Sequence, residues 1–361
     1  MGLSLYLKKL DWVLITTAVL LVGFGLLSIY SSSIGRGDFL NLKKQIIFFA
    51  VGMIILFLIS FFDWRFLREN TSIILILYFV SLVGLAGLFF FAPEIRGVKS
   101  WYKFGPVSLD PIEFTKIILI ILLAKYFSLR HVEMYRFRHI IFSGIYILIP
   151  AAIIFFQPNL GSILILIALW LAVLIISGIK VRHFLILVLL GLIILILCWS
   201  SLLKDYQKER VISFFLPYEL LGSAWSQNQA KIAIGSGGII GQGIGKGSQT
   251  QYGFLPEPQT DFIFAAIAEE TGLIGVLILF ILFLIFIWRI IRIALLSQTN
   301  FPRLFASGFA IILISEIFIN IGMNIGILPV IGIPLPLISY GGSSLIAIFI
   351  GLGILESIKI Y

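Results

Sequence analysis

Charged residues are scarce in this sequence, and cysteine is almost absent. Charged side chains make up 12% of the 361 residues and hydrophobic ones 60%, whereas an ordinary soluble domain is about 25% charged. A mean hydropathy of +1.12 therefore excludes the soluble globular classes. The single cysteine, Cys198, lies in an apolar run, which excludes an internal disulfide and a thiolate metal cluster.

Histidine is scarce as well. The three histidines, His131, His139 and His183, lie in short basic connections. None is near Asp261 in the chain, so a Ser-His-Asp site would have no base at hand. We expect all three histidines to lie on solvated loop faces.

Long apolar runs dominate what is present, and they lack the alternation of a membrane barrel, so they predict helices. The fold class is an all-α polytopic membrane protein, with residues 1–361 as one membrane domain. Lys8 and Lys9 precede the first apolar run, as basic residues precede the apolar region of a secretory signal. The run is too long for such a region, so we expect a first span that is retained. The ten expected spans are 12–30, 45–62, 72–92, 112–127, 140–156, 162–179, 184–200, 262–288, 304–323 and 339–358.

The distribution of basic residues predicts the orientation. Fourteen Lys and Arg residues lie in the segments on the side of the N-terminus, and six lie in the short connections on the other side. The positive-inside rule then places both termini in the cytoplasm. The long loop at residues 201–260 faces outward, and aromatic residues such as Trp225 argue against disorder there.

This loop contains a glycine-rich stretch, Gly235-Ser-Gly-Gly-Ile-Ile-Gly-Gln-Gly-Ile-Gly-Lys-Gly247. It does not match a Walker A motif, because Lys246 is followed by Gly247 rather than Ser or Thr, and no register gives G-x-G-x-x-G. Two interpretations remain open. The backbone could cradle phosphate through its N–H groups, or the stretch could be a flexible glycine hinge.

Asp261 ends the loop and stands at the mouth of an apolar run, which makes its carboxylate a candidate for chemistry. The alternative is that Thr260 or Asp261 simply caps the helix starting at Phe262. Glu257, four residues earlier, could be a second carboxylate or a plain turn residue.

Polar residues also interrupt the apolar runs. Asp110, Glu113 and Lys116 are spaced by three on one helix face, where charges at membrane depth are usually functional, although a structural Glu113–Lys116 pair is the alternative. A stripe of Glu316, Asn320 and Asn324 should face the bundle interior, for function or for hydrogen bonding between helices. A basic set could suit a phosphate-bearing ligand or could be solvated surface, and it comprises Lys116, Arg210, Lys231 and Lys246.

Three stretches carry a resemblance to a known family. They are Gln229-Ala-Lys-Ile-Ala-Ile-Gly-Ser-Gly-Gly238, Gly253-Phe-Leu-Pro-Glu-Pro-Gln-Thr-Asp-Phe-Ile-Phe-Ala265 with Glu269-Glu270, and Gly332-Ile-Pro-Leu-Pro-Leu-Ile-Ser-Tyr-Gly-Gly-Ser-Ser344. With Gln157-Pro158 and Pro111-x-Glu113-x-x-Lys116 they cover essentially the whole chain in order. The chain resembles the SEDS family (shape, elongation, division and sporulation). The late motif and the short termini favour the elongation branch over the septal branch.

The resemblance implies ten spans, a large loop between the seventh and eighth, and polymerisation of lipid II into glycan strands. It places Asp261 at the family's essential aspartate position and Glu113 and Lys116 at important polar positions. We add Glu257, Lys44, Ser343 and the rest of the basic set as substrate-binding candidates. The chain departs from the family pattern at Asn159, Ile112 and Lys44, where Asp, Ser and Arg are usual.

From these residues we expect inverting glycosyl transfer on the outer face of the inner membrane, with Asp261 as general base. The expected partners are lipid II, polyprenyl-pyrophosphate-linked glycan, membrane lipid and, by resemblance, a class B penicillin-binding protein. Nucleic acid is not expected. No cofactor is certain and no metal ligands are assigned, although Mg or Mn could share the leaving-group charge. The alternatives are a lipid II flippase and a non-catalytic scaffold.

Overall fold

A computed structural model describes residues 3–93, 100–105, 107–129, 137–201, 203, 205–215 and 222–361. The elements in these ranges are helices and one hairpin. In chain order they are α1 Leu3–Lys9, α2 Trp12–Arg36, α3 Leu40–Phe61, α4 Arg65–Glu69, α5 Thr71–Phe91, β1 Tyr102–Phe104, β2 Val107–Leu109, α6 Pro111–Ser128, α7 Phe137–Phe156, α8 Leu160–Ile176, α9 Val181–Ser201, α10 Asp205–Phe215, α11 Ser223–Gly237, α12 Ser248–Gln251, α13 Ile263–Leu296, α14 Asn300–Ile325 and α15 Gly342–Ile360.

The long helices match the expected spans one for one along the chain. Eight of those described are long and apolar enough to cross a membrane. Of the other two, α8 has 17 residues, and α6 carries Glu113, Lys116 and Lys125. The all-α membrane class is confirmed, while ten as the number of spans stays a prediction.

Helices α13, α14 and α15 form the centre of the bundle and pack against α2, α3 and α6. Large side chains such as Phe286, Phe309 and Phe349 are fully buried there. Helix α9 differs, because none of its residues from Val181 to Ser200 is buried by the rest of the protein. The bundle therefore has a packed centre and at least one helix whose surface is left to the membrane.

Helix α13 is broken at Gly272, whereas the sequence predicts one continuous span from Phe262. Gly272 has φ 64° and ψ −165°, a conformation that glycine adopts without the steric cost of a Cβ. The first piece, residues 263–271, buries Glu269 and Glu270. The second piece, residues 273–296, is about 36 Å long and suffices to cross the hydrocarbon layer.

The β1–β2 hairpin is a second departure, because the sequence predicts only a short connection there. Tyr102 pairs with Leu109 and Phe104 with Val107. The Tyr102 hydroxyl donates to the carbonyl of Gly84 in α5 at 2.7 Å. Gly87 leaves room for this hydroxyl, since a Cβ at that position would collide with it.

Charged residues join the start of α2 to the ends of α13 and α15. The Asp11 carboxylate accepts hydrogen bonds from Arg289 and lies 3.2 Å from Lys359, and the Asp11 N–H donates to buried Glu356 at 2.8 Å. Burial of Asp11 opposes ionisation, but the bonds from Arg289 and the Leu14 N–H, with the charge of Lys359, hold its pKa below the ordinary value.

The expectation for the histidines is wrong at His139. This side chain is buried, and its Nδ1 lies 3.1 Å from the hydroxyl of Tyr126. His183 is half-buried, and His131 lies outside the described residues. A basic connection in the sequence does not reveal that its last residues already belong to a packed helix.

Candidate functional site

Asp261 lies in a turn whose backbone is held by other parts of the chain. Three consecutive carbonyls, those of Gln259, Thr260 and Asp261, accept hydrogen bonds from outside the turn. Tyr340 N–H donates to the first at 2.8 Å and the Ser339 hydroxyl to the second at 2.6 Å. The third accepts from the amides of both Asn320 and Asn324, each at 3.0 Å.

The side chain of Asp261 is half-buried beside the irregular segment that links α14 to α15. A Cβ at position 332, which glycine lacks, would lie 3.5 Å from Asp261 Oδ2. The N-cap of α13 is Phe262, so the alternative that Thr260 or Asp261 occupies the N-cap position is wrong by one or two residues. The carboxylate stands next to the cap rather than serving as it.

The polar stripe on α14 resolves into two parts. Asn320 also donates to the Ile333 carbonyl at 2.8 Å, and the Asn324 side-chain oxygen accepts from Ala265 N–H at 3.2 Å. Glu316, one turn earlier, binds Lys116 instead. Since one turn of helix advances about 5.4 Å, the Lys116 cluster lies close to the Asp261 turn along α14.

Lys116 is buried between two carboxylates. Its ammonium lies 2.9 Å from a carboxylate oxygen of Glu113 and also pairs with Glu316. This geometry supports the structural alternative for the Glu113–Lys116 pair and extends it to a triad. Asp110 caps α6, because its side chain accepts a hydrogen bond from Ile112 N–H at 2.9 Å. Contact of Glu113 or Lys116 with substrate stays a prediction.

Glu257 occupies a strained turn position. Its φ is 43°, which a non-glycine residue seldom adopts and which costs about 1–3 kcal/mol. Its carbonyl accepts from the N–H groups of Thr260 and Phe262, each at 3.2 Å. The turn therefore presents Glu257 and Asp261 from one compact loop, and a second carboxylate near the site stays a prediction.

The basic candidates of the long loop are exposed. Lys231 on α11 lies over the end of α14, where a Cβ on Gly326 would be 2.6 Å from its Nζ. This places a cation at a helix C-terminus, where the helix dipole favours it. Arg210 on α10 and Lys246 are also exposed, and the binding of substrate by all three stays a prediction.

Lys44 and Ser343 flank the site from α3 and α15. Lys44 is half-buried beside Gln45, whose side-chain amide donates to the Ser339 carbonyl at 3.2 Å and accepts from Gly341 N–H at 3.2 Å. The Ser343 hydroxyl accepts from Asp110 N–H at 2.8 Å. Ser343 thus joins α15 to α6, and its contact with substrate stays a prediction.

The glycine-rich stretch is a packed strap rather than a flexible hinge, and three of its glycines, Gly237, Gly241 and Gly247, lie against residues 268–271. Gln242 N–H and Gly243 N–H donate to the carbonyls of Glu269 and Glu270 at 2.9 and 3.0 Å, while Leu273 N–H and Ile274 N–H donate to Gly238 and Ile239. A Cβ at Gly237 would overlap the Ala268 carbonyl oxygen. The close backbone approach expected from glycine is to the break in α13, so the hinge interpretation is wrong and these N–H groups are not free for phosphate.

Several residues around the turn are missed by sequence reasoning. Gln45 marks only the start of a span in the sequence, and Asn41, which donates to the Gln259 side chain at 2.7 Å, is not selected at all. The signal that could have found them is the placement of amides at the start of an apolar run. Ser339 stands out only as part of an irregular stretch.

No three His, Cys, Asp or Glu side chains converge as metal ligands within the part of the chain that the structure describes. Two acidic residues near the turn are engaged elsewhere, since Glu113 and Glu316 bind Lys116. A divalent cation bound by one or two carboxylates would complete its coordination with water molecules or with the phosphate oxygens of a substrate.

Fold and site together define a polytopic helical membrane protein with a half-buried carboxylate beside irregular backbone. The chain belongs to the FtsW/RodA/SpoVE family of cell cycle proteins, whose pattern matches residues 11–361. It is 39% identical to the peptidoglycan glycosyltransferase MrdB of Escherichia coli, over 78% of this chain and 76% of that one. It is 33% identical to the stage V sporulation protein E of Bacillus subtilis, over 97% of each chain.

Solved structures agree with the family. A chain from a peptidoglycan synthase complex, solved for the structural coordination of polymerization and crosslinking, superposes with a TM-score of 0.82 at 30% identity and 97% coverage of both chains. The rod shape determining protein RodA of Thermus thermophilus superposes with a TM-score of 0.71 at 28% identity, over 97% of this chain and 96% of that one.

Proposed function

We propose that this protein is a peptidoglycan glycosyltransferase that polymerises lipid II into glycan strands. The observation that carries the proposal is the Asp261 carboxylate, held beside Gly332 at the end of the folded outer loop by hydrogen bonds to three consecutive carbonyls. The names of the relatives support it, because the similar E. coli chain is a peptidoglycan glycosyltransferase.

In this mechanism Asp261 accepts the proton of an acceptor sugar hydroxyl while that oxygen attacks the anomeric carbon of the growing strand. The C–O bond to the lipid pyrophosphate breaks on the opposite face, so the configuration inverts. A sugar hydroxyl is too weak an acid to ionise beforehand, and general-base assistance in the transition state contributes about 10²- to 10⁴-fold.

The leaving pyrophosphate needs compensating positive charge. Lys231, Arg210 and Lys246 are exposed on the same loop that delivers Asp261. A divalent cation held by the substrate's own oxygens would supply the same stabilisation. Strand synthesis is measured with Mg, with Mn and with a chelator. Synthesis that persists in the chelator must rely on the Lys and Arg side chains rather than on a divalent cation.

A lipid-linked substrate explains why the site belongs to a membrane bundle. Each methylene of a polyprenyl chain contributes about 0.8 kcal/mol when it stays in hydrocarbon. The tail therefore remains in the bilayer and the head group reaches the Asp261 turn. Orientation of both termini toward the cytoplasm, with the loop at residues 201–260 outside, belongs to the same proposal.

A transpeptidase partner is supported by the similar chain from a peptidoglycan synthase complex, which was solved for the structural coordination of polymerization and crosslinking. We propose a class B penicillin-binding protein for this chain as well, with the pair acting in cell elongation. Because sporulation and septal relatives match too, the elongation assignment is tested by depletion, which should round the cells rather than produce filaments.

The decisive experiment supplies purified protein in detergent with lipid II and measures glycan strands by gel. We expect strands from the parent and at least about 100-fold fewer from Asp261→Asn, which keeps the size of the side chain but not its basicity. Strand synthesis by Asp261→Asn at the parent rate would eliminate Asp261 as the base. Transbilayer movement of lipid II in vesicles, without strands, would favour a flippase.

A further inference from the structure

Two buried asparagines on α14 are engaged in a way that the proposed reaction does not by itself require. The side-chain amides of Asn320 and Asn324 both donate to one acceptor, the backbone carbonyl of Asp261, each at 3.0 Å. Both asparagines are fully buried. A single carbonyl with two side-chain donors from the same helix face has both its lone pairs occupied.

The Asn324 amide also donates to the Asn320 carbonyl at 2.8 Å, and further hydrogen bonds of the two asparagines run to the segments that flank Asp261. Asn320 also donates to the carbonyl of Ile333, directly after Gly332, which approaches the Asp261 carboxylate. The Asn324 oxygen accepts from Ala265 N–H in the first turn of α13. The pair thus connects the start of α13 to the irregular segment that approaches the Asp261 carboxylate.

Helix α14 is a firm support for these amides. It packs against α6 and α13, and one turn before Asn320 it is fixed by the ion pair of Glu316 with Lys116. The donors therefore come from a buried helix, whereas the acceptor lies on a turn. Placement of a reacting group by locked donors is what precise catalytic geometry needs.

We infer that Asn320 and Asn324 are positioning residues that fix the backbone of Asp261 and so aim its carboxylate at the acceptor hydroxyl. The inference rests on the proposed function. Their amides act on Asp261 through its carbonyl and do not touch the substrate. The Ser339 and Tyr340 bonds hold the two preceding carbonyls, and the asparagines hold the residue that carries the chemistry.

The test replaces each amide by an apolar side chain of similar size, so that no charge is added near Asp261. Asn320→Leu, Asn324→Leu and the double variant are purified and assayed with lipid II. A displacement of about 1 Å costs a reacting group about 100-fold in rate. Since either amide alone keeps one donor on the carbonyl, we expect kcat to fall about 10-fold in each single variant and about 100-fold in the double.

Two further readouts separate positioning from general loss of structure. KM for lipid II should stay within twofold of the parent, because the asparagines do not contact substrate. The shape of the kcat profile against pH should also be unchanged, because the base is still present and is only misplaced.

Gln227 provides the matched control. It is a buried amide on α11 that donates to the carbonyls of Met323 and Leu328 at 3.0 and 2.7 Å, and it does not belong to the Asp261 turn. Gln227→Met also removes one side-chain amide, and that amide donates to carbonyls at the same end of α14 as Asn324. We expect it to lower the melting temperature as much as either Asn→Leu change and to keep kcat within twofold.

The outcomes are distinguishable. If the folded double variant retains kcat within twofold of the parent, the positioning inference is overturned. It is equally overturned if kcat falls in Gln227→Met as far as in the double variant, because the loss then follows stability. A parent protein that makes no strands, or an active Asp261→Asn variant, overturns the proposed function instead.

Discussion

Lys116 is the residue whose surroundings contrast most with the apolar composition of the chain. Its ammonium is buried between the carboxylates of Glu113 and Glu316. Removing one member of a buried ionic group leaves the others without compensation, which costs about 3–5 kcal/mol. We expect Lys116→Met to lower the free energy of unfolding in detergent by that amount, measured by thermal or denaturant unfolding.

A triple variant is the control for this prediction. Lys116→Met combined with Glu113→Gln and Glu316→Gln removes all three charges together, so no carboxylate is left unpaired. We expect it to recover most of the lost stability. Equal instability of the single and triple variants would show that packing, not charge, dominates at this position.

Asp11 gives a prediction for pH. Burial alone would raise its pKa, but hydrogen bonds from Arg289 and the Leu14 N–H, with the charge of Lys359, together bring the pKa in the folded protein below the ordinary value of 3.8. A lowered pKa contributes stability above the unfolded value, and this contribution is lost as pH falls through the folded value. We expect stability to decrease below about pH 4, and Asp11→Asn to reduce that dependence in unfolding measured across pH.

At the residue scale the sequence shows which side chains are candidates for the site, but it does not show which partners they contact. Asp261 is visible because a carboxylate stands where a polar loop meets an apolar run, and the i, i+4 stripe of α14 is visible from its period. The partners are not visible. Nothing in the spacing says that Glu316 turns to Lys116 while Asn320 and Asn324 hold a carbonyl about sixty residues earlier in the chain, because such pairings depend on how helices pack.

At the scale of an element, a prediction concerns the strap of residues 235–247, which begins in α11. A methyl group at Gly237 would overlap the Ala268 carbonyl, whereas one at Gly235, also in α11, would meet nothing within 4 Å. We expect Gly237→Ala to destabilise the protein by about 1–3 kcal/mol through overpacking. Gly235→Ala should be neutral or stabilise by up to about 1 kcal/mol, since it removes chain entropy from the unfolded state.

Melting temperatures of the two variants in one detergent provide the measurement. Each variant adds a single methyl group, and the two positions lie on the same helix. If both changes are tolerated equally, the strap is not packed against α13 as tightly as its hydrogen bonds indicate.

Among the elements, helices are predictable and irregular backbone is not. Runs of about twenty apolar residues have one solution in a membrane, so the order of the long helices follows from the sequence. The break at Gly272 and the β1–β2 hairpin depend on local φ angles and on three-residue strands. A lone glycine in an apolar run and two such short strands have no period from which to predict them.

The whole molecule has one prediction of its own, which concerns orientation. We expect a green fluorescent protein fused after Tyr361 to fluoresce, since it folds in the cytoplasm. Alkaline phosphatase inserted within residues 216–221 of the long loop should be active, since the phosphatase folds only outside the cytoplasm. The excess of Lys and Arg in the connections on the side of the termini is the reason. A dark fluorescent-protein fusion together with an inactive phosphatase fusion would show the inverted topology, with the long loop in the cytoplasm.

The ladder between the strap and the break in α13 limits how this chain can vary in length. Four hydrogen bonds pair residues 238–243 with residues 269–274 in a fixed alignment. Adding or deleting one residue there would set each donor opposite the wrong acceptor, while substitutions outside the glycines would leave the pairing intact. Epitope tags and insertions should therefore be kept out of this stretch, and homologous chains that share the break should carry the same number of residues between these points.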